Sequence, residues 1–178
     1  MTTATRTAEV EAAEAFLASP KTLDGTPPTW VDGTWGGEYT ATWIILDSDG
    51  APAAQLKFTA QKGDTSVSSI NVIFQGRTVW RLDMDYEHVC HSNPHDAHLL
   101  KLAALVCGPH EHAWEINKAY LLSQDLWRLR YRRALPSAIT RLGQGLLWLA
   151  DEINLTIEPD QRGFDGPTRA DLFDRSGL

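Results

Sequence analysis

From Glu38 to Asp85 apolar residues recur at every second position, in four runs separated by short turn signals. A strand turns successive side chains to opposite faces, so each run predicts one half-buried strand. In Glu38 to Leu46, Tyr39, Ala41, Trp43 and Ile45 share one face and Thr40, Thr42 and Ile44 the other, before Asp47-Ser48-Asp49-Gly50 closes a turn. Ala54 to Ala60 sends Leu56 and Phe58 inward, and Lys62-Gly63-Asp64 reverses the chain. Ser66 to Phe74 keeps Ile70, Val72 and Phe74 together, and Gln75-Gly76 is a tight turn into Thr78 to Asp85. In that fourth run Trp80, Leu82 and Met84 face the core, with Arg81, Asp83 and Asp85 on the other side. Connections this short cannot hold a parallel crossover, which leaves an antiparallel meander.

The flanking segments are read by the same periodicities. Residues 7 to 19 predict a helix, with Val10, Ala13, Phe16 and Leu17 at helical spacing and Pro20 as its stop. A loop follows through Pro27, Pro28 and Asp32-Gly33, anchored by Trp30 and Trp35. Beyond the meander, Leu99, Leu102, Ala103 and Val106 predict a helix over 96–106. His110 to Ile116 alternates as a fifth strand returning beside the fourth, and Leu126 to Arg133 alternates again. Pro136 suits the first turn of a helix whose stripe is Ile139, Leu142, Leu146, Leu149 and Ile153, and Leu155 and Ile157 add a short last strand. The expected fold is α+β: one domain over 1–158, an antiparallel β-meander of five to six strands with an N-terminal helix and a C-terminal helix packed on the sheet. Residues 159–178 are expected to form a loose C-terminal arm, with one helical turn at Asp171 to Phe173.

Composition narrows the function classes. A chain of 178 residues fits one domain with a sizeable core, and 43% hydrophobic with 22% charged residues is an ordinary globular balance. The formal net charge of −7 repels nucleic acid except at a local basic patch. Without an apolar run of membrane-spanning length or an apolar leader core, the expectation is a cytoplasmic protein with no membrane partner and two reduced thiols. Two cysteines make no disulfide framework, although a Cys90–Cys107 pair stays open.

All six histidines and both cysteines lie between positions 88 and 112. Imidazoles and thiolates bind soft metals, move protons near neutrality or attack electrophiles, so this stretch is where chemistry is expected. As a zinc site, Cys107-x2-His110-x-His112 has a knuckle-like spacing, and His88 and Cys90, beside His91, supply further ligands. Without metal, His110 and His112 point to one face of a strand, ~7 Å apart, and His91 arrives from the loop leaving the neighbouring strand. Imidazoles on either side of a phosphodiester can serve as general base and acid, Asn93 can donate to an oxyanion, and Arg128, Arg130 and Arg132, side by side on a strand, can hold a phosphate. Asp83 and Asp85 can orient His110 or hold a hard cation, but their expected place is a solvated outer face, with Asp83 beside Arg81.

Three short motifs then occur in order: Arg81-Leu82-Asp83, His91-x-Asn93-Pro94 and Gly108-Pro109-His110-x-His112. Over roughly residues 38 to 157 they resemble an uncharacterised family of small bacterial and phage-encoded proteins, a domain of unknown function. That resemblance implies a β-meander, a histidine loop, a histidine strand and a C-terminal helix. The chain departs from the pattern after Pro94, where the family has Asp-Gly and a short loop and this sequence opens a longer insertion with His95-Asp96. A fainter similarity is to small ribonucleases of toxin–antitoxin systems. The leading expectation is a histidine site, ribonuclease-like, acting on nucleic-acid or nucleotide phosphodiester bonds, with no cofactor or with zinc. The alternatives are a non-enzymatic anti-defence inhibitor (anti-CRISPR-like) docking on a nucleic-acid-binding protein complex by its acidic surface, and a zinc-stabilised interaction module.

Overall fold

The computed structural model describes residues 3–34, 36–124 and 126–168, so Trp35 and the expected turn at Asp171 to Phe173 lie outside the described residues. The chain opens with α1 (Thr3–Ala18), β1 (Lys21–Leu23) and β2 (Val31–Asp32). The meander follows as β3 (Glu38–Leu46), β4 (Pro52–Gln61), β5 (Ser68–Phe74) and β6 (Arg77–Met84). All three of its pairings are antiparallel. The turn between β5 and β6 has φ of 48° at Gln75 and 73° at Gly76, the doubly left-handed geometry that matches strand twist and that glycine adopts without steric cost.

After β6 come β7 (Cys90–Ser92), a 3-10 helix (His95–Leu100), β8 (Leu105–Cys107) and β9 (His110–His112). Then follow α2 (Trp114–Ser123), β10 (Arg133–Ala134), α3 (Leu142–Glu152) and β11 (Leu155–Thr156). Among the described residues the main sheet has nine strands, more than expected, in the order β10-β9-β6-β5-β4-β3-β1-β11 with β2 also on β3. β1 and β11 pair in parallel. The fold is α+β, and β9 returns antiparallel beside β6 as the sequence predicts. Among the described residues no helix is long and apolar enough to cross a membrane.

One face of the sheet carries the core: Trp43, Leu56, Phe58, Ile70, Leu82 and Met84 are all nearly inaccessible. α3 lies directly on it at Gly145, where an added Cβ would stand 3.3 Å from both the Leu82 and Met84 side chains. α1 packs against α2 and stacks Phe16 on Phe74.

Several local expectations are corrected. The helix over 96–106 is only a 3-10 turn followed by β8, because the left-handed Lys101 closes it on the carbonyls of Ala97 and His98. The fifth strand stops at His112, and Trp114 and Ile116 belong to α2. Leu126 to Arg132 is irregular: Asn117 donates to the Ala113 and Tyr131 carbonyls and accepts from the Arg130 and Tyr131 amides. One asparagine side chain thus replaces the strand ladder that the alternation suggested. α3 begins at Leu142 rather than Pro136, since Gln144 Oε1 accepts the Thr140 and Arg141 amides at 2.9 and 3.1 Å and starts the helix there. The start of the supposed arm is packed: Phe164 stacks on Trp30 with centroids 5.7 Å apart, and Asp165 accepts the Gly143 amide at 2.9 Å.

Candidate active site

The polar face of β6 meets β9 in a register that pairs Arg81 with His112 and Asp83 with His110. Directly paired residues share a sheet face, so the R-L-D and H-x-H motifs are brought side by side. Together with β7 and the irregular 127–132 segment they line an open cavity of about 630 Å³. Asn71, Arg77, Thr78 and Asp85 also line it, and Trp127, Arg128, Leu129 and Arg132 line it from the irregular segment.

Asp83 is the hub. Its Oδ1 accepts from Arg81 Nε at 2.9 Å and Nη2 at 2.6 Å. Its Oδ2 faces His110 Nε2 at 3.5 Å and His112 Nε2 at 3.6 Å. Those two separations exceed hydrogen-bond length. The tautomer of His110 follows from its other nitrogen: Nδ1 lies 3.0 Å from the Gly108 carbonyl, which only accepts, so Nδ1 holds the hydrogen. Nε2 of the neutral ring therefore presents a lone pair toward Asp83.

Burial pushes both imidazoles toward the neutral form. His110 is lowered chiefly by desolvation, against the pull of the Gly108 bond and of Asp83 and Asp85. His112 falls from 6.5 to about 4 for the same reason, with Asp83 opposing and Arg132, His110 and Arg81 adding to the drop. Desolvation thus outweighs the carboxylate at both rings. A second group stands beside the first: His91 Nε2 is 2.8 Å from Asp85 Oδ2, a hydrogen-bonded pair in the cavity lining, with the His91 ring 5.0 Å from that of His110.

The predicted site residues separate accordingly. His91, His110, His112, Arg128 and Arg132 line the cavity. Asn93 does not, because its amide donates to the Ala103 and Arg132 carbonyls and accepts the Arg132 amide, pinning the β7–β8 hairpin to the arginine segment. Arg130 turns away onto the Tyr120 and Tyr131 rings and toward Asp96. The irregular backbone, held by Asn117, destroys the common face that a strand would have given Arg128, Arg130 and Arg132. Arg81 and Arg77, from β6, take the place of Arg130.

The zinc set built on Cys107, Cys90 and His88 is also corrected. Cys90 and Cys107 are registered opposite each other across β7 and β8 and joined in a disulfide, so neither offers a thiolate. His88 is exposed and stacked on Tyr86. Asp83 and Asp85 do not stand on a solvated face: Asp83 is buried, and each stands among the histidines.

No family model, curated protein or solved structure matches the chain.

Proposed function

We propose that the cavity is the active site of a phosphodiester hydrolase acting on nucleotide-type substrates. The observation that carries this is a convergence: neutral imidazoles, two carboxylates and the guanidinium groups of Arg81, Arg128 and Arg132 line one open cavity. Arg132 is lowered chiefly by desolvation, with Asp83 and Asp85 opposing and Arg81 and Arg128 adding to the drop, so several guanidinium groups and two carboxylates act on one another across the cavity. Guanidinium groups fit phosphate oxygens in a planar fork. A volume of about 630 Å³ suits a nucleotide-sized ligand. In a chain of net charge −7 a basic cavity concentrates small anions while the outer surface repels long polyanions.

In the reaction a water oxygen forms a bond to phosphorus as the ester P–O bond on the opposite side breaks. The arginines hold the non-bridging oxygens and oppose the charge that grows on them. The proton released by the water passes to His91, which Asp85 orients, and the alkoxide departing on the far side takes its proton from solvent. The products are a phosphomonoester and an alcohol. The Cys90–Cys107 disulfide weighs against the expected cytoplasmic placement, because reducing compartments keep such thiols apart.

The test is a panel of cyclic nucleotides, dinucleotides, an activated aryl phosphodiester and mixed RNA, assayed with and without added divalent metals. Cleavage that falls by ~10²–10⁴-fold in His91→Gln, the magnitude typical for losing a proton-transfer group, supports the proposal. Nucleotide binding without turnover under every condition would instead make the chain a binding protein, the class to which an inhibitor belongs.

A further inference from the structure

The zinc ligands expected from sequence are wrong in detail, yet the geometry points to a different metal centre: we infer that Asp83, His110 and His112 bind one divalent transition-metal ion through Oδ2, Nε2 and Nε2. This rests on the hydrolase reading only for its role in catalysis, not for binding itself. Three donor atoms on two adjacent strands lie within 4.8 Å of one another. Two ligands each ~2.1 Å from a tetrahedral zinc stand about 3.4 Å apart, and the Asp83 carboxylate lies 3.5 and 3.6 Å from the two imidazole nitrogens. That spacing is too long for hydrogen bonds and suits groups arranged around a shared centre.

The surrounding bonds are those that prepare ligands. Gly108 O fixes the His110 tautomer that leaves Nε2 free to ligate. Arg81 occupies Oδ1 of Asp83 through two nitrogens, which leaves Oδ2 as the single ligating oxygen and locks its direction. A backbone carbonyl behind a ligating histidine and a hydrogen-bonded ligating carboxylate are the usual outer partners of a metal site. The neighbouring Asp85–His91–His110 group lacks these properties: its His91–Asp85 contact is already a 2.8 Å hydrogen bond, and His110 Nδ1 is occupied by Gly108. Two imidazoles with one carboxylate favour zinc, iron(II) or cobalt(II) over the hard cations magnesium and calcium. Three protein ligands leave positions open toward the cavity, where the ion would hold the attacking water and lower its pKa.

The experiment titrates chelator-stripped full-length protein with zinc(II) by calorimetry and with cobalt(II) by visible absorption. One equivalent per chain is expected, with the d–d bands of a low-coordinate cobalt site and a raised melting temperature on zinc binding. Asp83→Asn and His112→Gln should each weaken zinc binding by at least ~100-fold, whereas Asp85→Asn and His91→Gln should retain it. If His112→Gln loses its native circular dichroism, Asp83→Asn alone decides. Failure of the wild type to bind either ion, or binding unchanged in Asp83→Asn, overturns the site. The two readings fail separately: zinc bound without phosphodiester cleavage removes the hydrolase and keeps the metal, and cleavage by a chain that binds neither ion removes the metal and keeps the hydrolase.

Discussion

Two buried carboxylates stand back to back on the same pair of strands, and their surroundings differ in kind. Glu111, between His110 and His112 on β9, points to the α3 side of the sheet and is 1% exposed. Its Oε2 accepts from the Trp80 indole at 3.0 Å and from the Trp148 indole at 3.4 Å. Its Oε1 accepts from Arg133 Nε at 2.6 Å, and Arg133 goes on to Glu115 at 2.7 Å. Asp83, on the opposite face, has one oxygen equally well bonded and the other aimed at two nitrogens that it does not reach. His112 Nδ1 and Arg132 Nε, nearby, are buried with no hydrogen-bond partner among the described residues. A buried charge whose partners are complete holds a structure together, whereas incomplete partners converging on an open volume mark a place for a ligand.

The largest expected effect tests the closed side. Glu111→Ala leaves two indole donors and a guanidinium without their acceptor, and removing one member of a buried charged network costs ~3–5 kcal/mol. Urea unfolding should show that loss. Asp83→Asn in metal-stripped protein should cost under ~1 kcal/mol, because Arg81 is half exposed and water can replace the carboxylate. Equal losses at the two positions would erase the distinction between them.

Acid titration probes the open side. His112 has a folded-state pKa near 4 against 6.5 for the free side chain. Between those values the unfolded chain binds more protons, so unfolding free energy rises with pH across the window. The contribution is complete above about 6.5 and is lost as pH falls toward about 4, on the order of 3 kcal/mol in all. Melting temperatures of metal-stripped protein measured from pH 4 to 7 should show this slope, and His112→Gln should flatten it. A wild-type slope no steeper than that of His112→Gln would mean that the ring is not held neutral.

The meander was legible because its signals are local. Alternation, short turns and Gln75-Gly76 each act within a few residues, and all four strands form where periodicity placed them. The pairing of β9 beside β6 was legible too, but its register was not: which of Arg81, Asp83 and Asp85 faces His110 depends on a shift in steps of two residues, which keeps the same faces together and which no local pattern encodes. Asp83 was therefore assigned to solvent. The arginine segment misled for the opposite reason. Its alternation is real, yet Asn117 and Asn93 supply from a distance the hydrogen bonds that a neighbouring strand would have given. An asparagine three residues after Trp114 carries no sequence mark of that role. The cysteines were misread because clustering with histidines suggests metal, while 17 residues of separation say nothing of the hairpin that places them opposite each other.

That hairpin is the next lever. A disulfide closing a loop of this length contributes ~3 kcal/mol by chain entropy, and it also braces His91, which follows Cys90 directly. The Cys90→Ser, Cys107→Ser double variant should lose about that much unfolding free energy, measured by urea titration. Zinc affinity should hardly change, since Asp83, His110 and His112 all stand on the main sheet. Turnover should fall more than binding, because only the proton-carrying His91 loses its anchor. A parallel collapse of zinc binding would show that the open site depends on the hairpin rather than on the sheet.

The smallest effect separates two arginines that are neighbours in sequence and strangers in space. Arg128 lines the cavity, whereas Arg130 lies with its guanidinium 5.0 Å from the Tyr120 ring and 4.0 Å from Asp96. If the cavity holds a phosphate, Arg128→Gln removes one charged donor from the bound substrate. That should raise KM by about tenfold, or ~1.4 kcal/mol, with little change in kcat, because the interaction is made in both ground and transition states. Arg130→Gln removes only an exposed cation–π and ion-pair contact, so its KM should stay within about twofold of wild type. Salt dependence sharpens the contrast: KM should rise less steeply with ionic strength in Arg128→Gln than in wild type, and equally in Arg130→Gln. Matching losses in both variants would mean that the phosphate sits on the outer surface of the 126–132 segment, and the cavity would then have to be given up as the place where the substrate binds.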